Sequence, residues 1–373
     1  MTLPVVFTAN GPSGYNLTKS LRFRSSASAY LNRTPASNGS GTTFTWSGWV
    51  KRGILGGGNY MVMYSAGSGD AAIGALYFGT DNKLNFLNYN GAVNWQLIST
   101  AVYRDPSAWY HIVAVVDTTQ ATSSNRIKLY VNGVQVTAFD TASYPSQNYA
   151  SPFFNQTGYV QFTGRWGTWN ASHIYDGYLS ENNFVDGQAL TPSSFGSTNA
   201  LTGVWQPAKY TGTYGTNGFY LPFTNTTSTT TLGYDLSGNS NNWTTNNLSL
   251  TAGSTYDSMT DVPTLTSATT ANYCVFNPIS SGGTITNGNL STSNNDTTTY
   301  GTVAITTGKF YWEYTITACS GGASIALGVS KDTNRATGGA WGANDVFLYQ
   351  SGGNKYGNGT SGAYGATYTT GDV

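Results

Sequence analysis

The stretch WYHIVAVVDTTQATSSNRIKLYVNGVQV, from Trp109 to Val136, constrains the fold more than any other part of the chain. Asn132-Gly133 sits between two apolar-alternating runs. A type I′ turn needs φ > 0 at both central positions, which Asn and Gly tolerate, so the dipeptide predicts a two-residue β-hairpin. That turn would pair Val131 with Val134, Leu129 with Val136 and Ile127 with Ala138, putting small or apolar residues on one face. Lys128, Tyr130, Gln135 and Thr137 fall on the other. Upstream, Trp109 to Val116 is apolar on both faces and reads as a central strand covered on both sides. His111, inside that run, reads as strand interior rather than as a general base.

No long segment has a 3.6-residue apolar period. Short alternating runs recur instead, separated by Gly, Asn and Ser, which is the pattern of an all-β sandwich or barrel. FTWSGWVKR places Phe44, Trp46, Gly48 and Val50 on one face, and Thr45, Ser47, Trp49 and Lys51 on the other. AALYFGTDNKLNFLNY reads as a hairpin around Thr80-Asp81-Asn82. Charged residues are 9% of the chain and aromatics 14%, and the net charge is zero. Folding must therefore rest on aromatic and β-branched burial and hydrogen-bonded loops, with few ion pairs. A neutral chain lacks the basic footprint of nucleic-acid binding. No apolar run reaches the ~18 residues of a membrane span. The N-terminal LPVVF is too short for the apolar region of a signal peptide and has no basic flank. Without a secretion signal, Cys274 and Cys319 read as thiols.

Four regions follow: an arm at 1–17, a sandwich at 18–200, a connector at 201–298 that could pack on the sandwich, and a further sandwich from 299 to 373. In the connector, GFYLPF and NNWTTNNLSLTAG look like strands, and 280–298 has linker chemistry. In the last region GKFYWEYTI would set Phe310, Trp312, Tyr314 and Ile316 on one face of a strand, with ASIALGVS as the next.

FTWSGWVKR, WYHIVAVVD, IKLYVNGVQV and IYDGYLSENNF, in this order, resemble the laminin-G-like, concanavalin A-like sandwich. GYDLSGNSNNWT is similar to the opening of related modules. GKFYWEYTI, ASIALGVS and NKYGNGTSGAYGATYTTGDV resemble part of a SPRY-type sandwich, in which GDV leads into a further core strand. A longer chain or a neighbouring one is expected to supply it. The fold class these resemblances imply is all-β: tandem antiparallel β-sandwiches, the first a concanavalin A-like jelly roll, the second a partial SPRY-like sandwich. SLRFRSSASAYLNRTP, WSGWVKRG, DGQALTPSSFG and NNWTTNNLS also look like marine bacteriophage tail-fibre or virion structural proteins, which implies synthesis in a host cytoplasm, a place on the virion and a homo-oligomer, with a trimer favoured.

Catalytic chemistry is sparse. A retaining glycosidase needs two carboxylates ~5–5.5 Å apart, yet the two glutamates, Glu181 and Glu313, fall in different regions. No G-x-S-x-G occurs. The chain is expected not to be an enzyme. For sugar binding, GRWGTWNASHIYDGY supplies Trp166, Trp169, Asn170 and Tyr175: aromatic planes beside an amide. The laminin-G-like resemblance implies a possible Ca²⁺ site, with Asp117, Asp140 and Asp176 as candidate ligands. The reading is a non-enzymatic virion fibre or surface protein whose partners are a glycan or host receptor, its own copies and other virion proteins. The rival readings are a purely structural virion or filament subunit and, less favoured, a polysaccharide depolymerase.

Overall fold

In the computed structural model the alternating runs become antiparallel strands; it describes residues 15–267, 269–293, 297–305, 307, 310–319, 325–330, 346–357 and 360–373. The first compact unit comprises 15–275 with 286–291, and the second 276–285 with 292–373. Strands of the first are β1 (Ser20–Phe23), β2 (Tyr30–Arg33), β3 (Thr43–Arg52), β4 (Met61–Gly69), β5 (Ala72–Phe78), β6 (Lys83–Asn90) and β7 (Val93–Val102). There follow β8 (Trp109–Asp117), β9 (Ile127–Val131), β10 (Val134–Gln135), β11 (Phe139–Ser143), β12 (Val160–Thr163), β13 (Arg165–Gly167) and β14 (Asn170–Ile174). The last are β15 (Gly177–Asp186), β16 (Gly196–Thr198), β17 (Trp205–Pro207), β18 (Phe219–Leu221), β19 (Thr244–Asn246) and β20 (Ser258–Met259).

Two eight-stranded sheets face each other. One runs β10-β9-β8-β3-β15-β1-β20, with β18 also paired to β15; the other runs β11-β7-β6-β5-β4-β12-β2-β19. Phe44, Trp46 and Val50 of β3 and Ile112, Ala114 and Val116 of β8 meet Met63, Leu76, Phe86, Trp95 and Leu97 of the opposite sheet in one core. The face divisions expected for β3 and β8 are those observed. Trp49 and Lys51 point outward yet are buried, because later segments cover the outer face of this sheet.

That cover is held by charge. Asp257 accepts from Arg22 (3.2 Å) and Arg24 (2.7 Å), and Lys51 Nζ reaches Asp261 at 2.7 Å. β18, β19 and β20 all pair into the two sheets, so residues 219–259 are part of the sandwich.

The Asn132-Gly133 turn has φ of 49° and 82°, as the type I′ geometry requires. The expected hairpin is too long, however. Val134 pairs with Val131, and Val136 N–H donates to Leu129, but Ala138 does not pair with Ile127. The chain crosses to the other sheet, where Ala138 accepts from Thr100 and β11 pairs with β7. β10 is thus a two-residue edge, and Val134 is exposed.

Gly74 of β5 faces the core, and a Cβ there would lie 2.3 Å from the Phe154 ring. Gly74→Ala is expected to destabilise the fold by about 1–3 kcal/mol through overpacking. Gly69, with open space at its Cβ, serves as control: Gly69→Ala should stay within about 0.5 kcal/mol in urea denaturation.

In the second unit Ala326–Ser330, Val346–Gln350, Asn354–Gly357 and Thr360–Ala363 form a four-stranded antiparallel sheet. The strand expected at GKFYWEYTI is not one: 310–319 carry no strand, and Phe310 and Trp312 are exposed. Ile316 exchanges backbone hydrogen bonds with Gly371 and Asp372 without forming a strand. Segment 280–298, read as linker chemistry, contributes to strands at Phe276–Ser281, Thr284–Thr286 and Ser291–Ser293. Among the described residues, no helix is long and apolar enough to cross a membrane.

Candidate functional site: an aromatic groove on the outer sheet face

Strands β4 to β7 direct Met63, Leu76, Phe86 and Leu97 into the core. Their alternate residues point the other way, and many are also apolar: Val62, Ile73, Ala75, Tyr77 and Leu87 form a separate cluster with Trp166. Register aligns them, with Tyr77 opposite Val62, Ala75 opposite Leu87, and Leu87 opposite Gln96. A solvent-side face built this way is unusual for an antiparallel sheet, where polar residues are the norm.

The β13–β14 hairpin folds along this face. Ser65 Oγ lies 2.7 Å and 2.9 Å from the Arg165 and Trp166 carbonyls and anchors it. Trp166 meets Tyr77 edge-on at 5.4 Å and Tyr60 at 5.5 Å; Tyr60 packs on His173 at 4.3 Å. Tyr60 N–H donates to His173 Nδ1 at 3.3 Å, and burial lowers the His173 pKa. Gly167 lets the Trp169 ring lie against the hairpin, since a Cβ there would come within 2.4 Å of it.

At the β4–β5 turn, exposed Asp70 completes the arrangement. Its Oδ1 accepts the indole N–H of Trp166 at 2.8 Å and of Trp169 at 3.2 Å. Two aromatic donors thus fix one carboxylate in place. The resulting groove, about 500 Å³, is lined by Tyr60, Asp70, Tyr77, Leu87, Tyr89, Gln96 and Trp166 among others. Its size lies within the range of small-molecule sites.

Of the expected sugar-binding residues, Trp166 lines this groove but is itself buried, and part-exposed Trp169 reaches it through Asp70. Asn170 Oδ1 accepts from Ser172 and His173 N–H, so it shapes the hairpin. Tyr175 requires a correction: it is fully buried, packs edge-on to Phe23 and donates its hydroxyl to the Lys51 carbonyl, so it offers no ring face to a ligand. Strand β14 ends at Ile174, and the next residue's side chain joins the core. Asp70, Tyr60, Tyr77, Leu87, Tyr89 and Gln96 were not anticipated. The apolar character of both alternating sets in AAIGALYF was the available signal.

The three aspartates considered for calcium do not form one site. Asp117 holds its own turn through Thr119 and Gln120. Asp140 pairs with Lys83, whose hydrogen bond holds its carboxyl below the usual range. Asp176 is buried and accepts from Ser25 N–H, Ser25 Oγ and Gly288 N–H. No group of three or more His, Cys, Asp or Glu side chains suited to a metal occurs among the described residues.

His111 is buried between indoles, stacked on Trp49 at 5.0 Å and on Trp205 at 5.9 Å. Trp205 Nε1 donates to His111 Nδ1 at 3.0 Å. The ring proton therefore sits on Nε2, which faces Ser47 Oγ at 2.9 Å. With its lone pair already used, His111 cannot activate Ser47 as a base would. Burial depresses its pKa to about 3.

Glu181 is a further buried acid. It sits at a bulge of β15, between Ser180 and Asn183, with φ of 52°. Its two oxygens take the hydroxyls of Tyr15 and Tyr220 at 2.8 Å each, and those hydroxyls lie 2.8 Å apart. Three short oxygen contacts need three protons, and the phenols supply two. Only a protonated Glu181 closes the ring, which agrees with burial raising its pKa to about 7.

The family model described as the concanavalin A-like lectin/glucanases superfamily matches residues 25–194. The fold of this region is the concanavalin A-like jelly roll. A heptameric SAP-like pentraxin from Limulus polyphemus is 16% identical, with a TM-score of 0.34 over 47% of this chain and 78% of its own. A candidate carbohydrate-binding protein from Bacteroides ovatus is 18% identical, with a TM-score of 0.40 over 62% of this chain and 59% of its own. The CBM40 of a Ruminococcus gnavus IT-sialidase, bound to α2,3-sialyllactose, is 13% identical, with a TM-score of 0.28 over 44% of this chain and 85% of its own. No curated protein sequence matches the chain.

Proposed function

We propose that this chain is a non-enzymatic glycan-binding protein and that the aromatic groove is its binding site. The observation that carries the reading is the Asp70 carboxylate held by two indole N–H groups beside the part-exposed rings of Tyr60 and Tyr89. A pyranose offers a C–H face that packs on aromatic rings and hydroxyls that a fixed carboxylate accepts, so the two features serve one ligand. His111 has no free lone pair, and Glu181 is enclosed by tyrosines, so neither is arranged for turnover.

The wider setting we propose is a phage virion fibre or surface protein, assembled as a homo-oligomer, attaching to host glycans, with a SPRY-like second module. The motif resemblances in SLRFRSSASAYLNRTP, NNWTTNNLS and NKYGNGTSGAYGATYTTGDV support it. A glycan array, read with and without Ca²⁺, tests the binding reading. Wild type should give hits that Trp169→Ala weakens at least tenfold. An array with no hit in either condition would favour the scaffold reading instead, and hits indifferent to Trp169→Ala would place the glycan site outside this groove.

A further inference from the structure

We infer that the groove selects neutral pyranose glycans and discriminates against anionic ones; this rests on the glycan-binding reading above. Of the side chains lining the groove, Asp70 alone carries a formal charge, and no Lys or Arg is among them. Its Oδ1 is committed to Trp166 and Trp169, while Oδ2 makes no hydrogen bond among the described residues. The open oxygen is therefore an acceptor, set at the rim where Asp70 is exposed.

An acceptor of this kind suits sugar hydroxyls, which donate. A sialic acid or uronate carboxylate donates nothing at neutral pH and would approach a like charge. The part-exposed Tyr60 and Tyr89 rings add to the bias, because ring faces carry negative quadrupole potential and attract C–H groups or cations rather than anions. Both Asp70 and the walls thus oppose an acidic sugar, and no guanidinium or ammonium in the lining offsets them. The two indole donors also point at Asp70 and not into the groove, so they are not available to an anionic ligand.

The test uses the full chain and matched probes: lactose against 3′-sialyllactose, and cello-oligosaccharides against oligoglucuronates, by calorimetry and ligand-observed NMR. In at least one pair the neutral member is expected to bind at least tenfold tighter at low salt. The gap should narrow in 0.5 M NaCl as the repulsion is screened. Asp70→Asn keeps an oxygen for the indoles and removes the charge, so it should bring each such pair to within about threefold. Anionic probes binding as tightly as neutral ones, or a gap unchanged in Asp70→Asn, would overturn the selectivity while leaving a glycan-binding groove. If no pair binds, or binding is unaffected by Trp169→Ala, the glycan reading of the groove falls as well.

Discussion

Between about pH 6.5 and 4.5 the His111 and Glu181 contributions to folding stability are expected to cancel, and removing either should expose the other. His111 has its pKa lowered from 6.5 to about 3 by burial. Through that interval the unfolded chain takes up a proton that the folded chain refuses, so stability falls as pH falls. At about 1.4 kcal/mol per pH unit the full loss is about 4–5 kcal/mol by pH 3. Glu181 acts oppositely. Burial raises its pKa from 4.5 to about 7, so the folded chain keeps a proton that the unfolded chain has released. Its contribution is complete below pH 4.5 and is lost as pH rises through 7, for a total of about 3 kcal/mol.

Glu181→Gln removes the titration and supplies a side-chain donor to the Tyr15–Tyr220 ring. Relative to wild type, this variant should gain up to about 3 kcal/mol above pH 7 and lose that advantage toward pH 4.5. His111→Gln, relative to wild type, should improve steadily as pH drops below 6.5. Burial also raises the carboxyls of Asp176 and Asp261, which push in the direction of Glu181. Variant-minus-wild-type curves from urea denaturation at each pH therefore carry the test. A Glu181→Gln difference curve flat from pH 8 to 4.5 would show that this carboxyl is ionised in the fold throughout.

Lys51→Met is expected to destabilise the first unit by about 3–5 kcal/mol, the usual effect of leaving one member of a buried ion pair alone. All three protons of the Lys51 ammonium are placed: on Asp261 Oδ2 at 2.7 Å, Asn272 Oδ1 at 2.8 Å and the Tyr273 carbonyl at 2.8 Å. Without it, buried Asp261 would keep only the Trp109 indole, at 3.0 Å, as a side-chain partner. Burial lowers the Lys51 pKa despite the opposing pull of Asp261, so the loss of hydration outweighs the attraction at this site. It follows that Lys51→Met combined with Asp261→Leu should recover much of the loss, since the pair's net worth is smaller than the penalty for breaking it. Because Trp109 Nε1 would then lack its acceptor, recovery should fall short by about 1–3 kcal/mol. Urea midpoints at constant m-value check both variants. A single variant within about 1 kcal/mol of wild type would mean that the 257–275 cover is not held by this pair.

The groove divides between what was legible in the chain and what was not. Trp166 and Trp169 stood out because aromatic side chains in a Gly- and Asn-rich loop have an obvious use. Asp70 did not, since an aspartate in a turn is ordinary, and its partners lie 96 and 99 residues away. Tyr175 misled for the related reason that burial depends on where the chain goes after β14.

The sequence by itself determined the local elements: the left-handed Asn132-Gly133 turn, the two faces of β3, the doubly covered β8 and the all-β class. These follow from backbone sterics and a two-residue side-chain period, both of which act over a few residues. Tertiary structure alone decided where the hairpin stops, that residues 219–259 complete the sheets, and that Arg22, Arg24 and Lys51 are buried against Asp257 and Asp261. The charge pairs span 210 to 235 residues, and the hairpin's end rests on the contact of Ala138 with Thr100 in the other sheet. Strand order, burial and charge pairing at that separation are set by which faces meet, and alternation is the same on a covered face as on an open one.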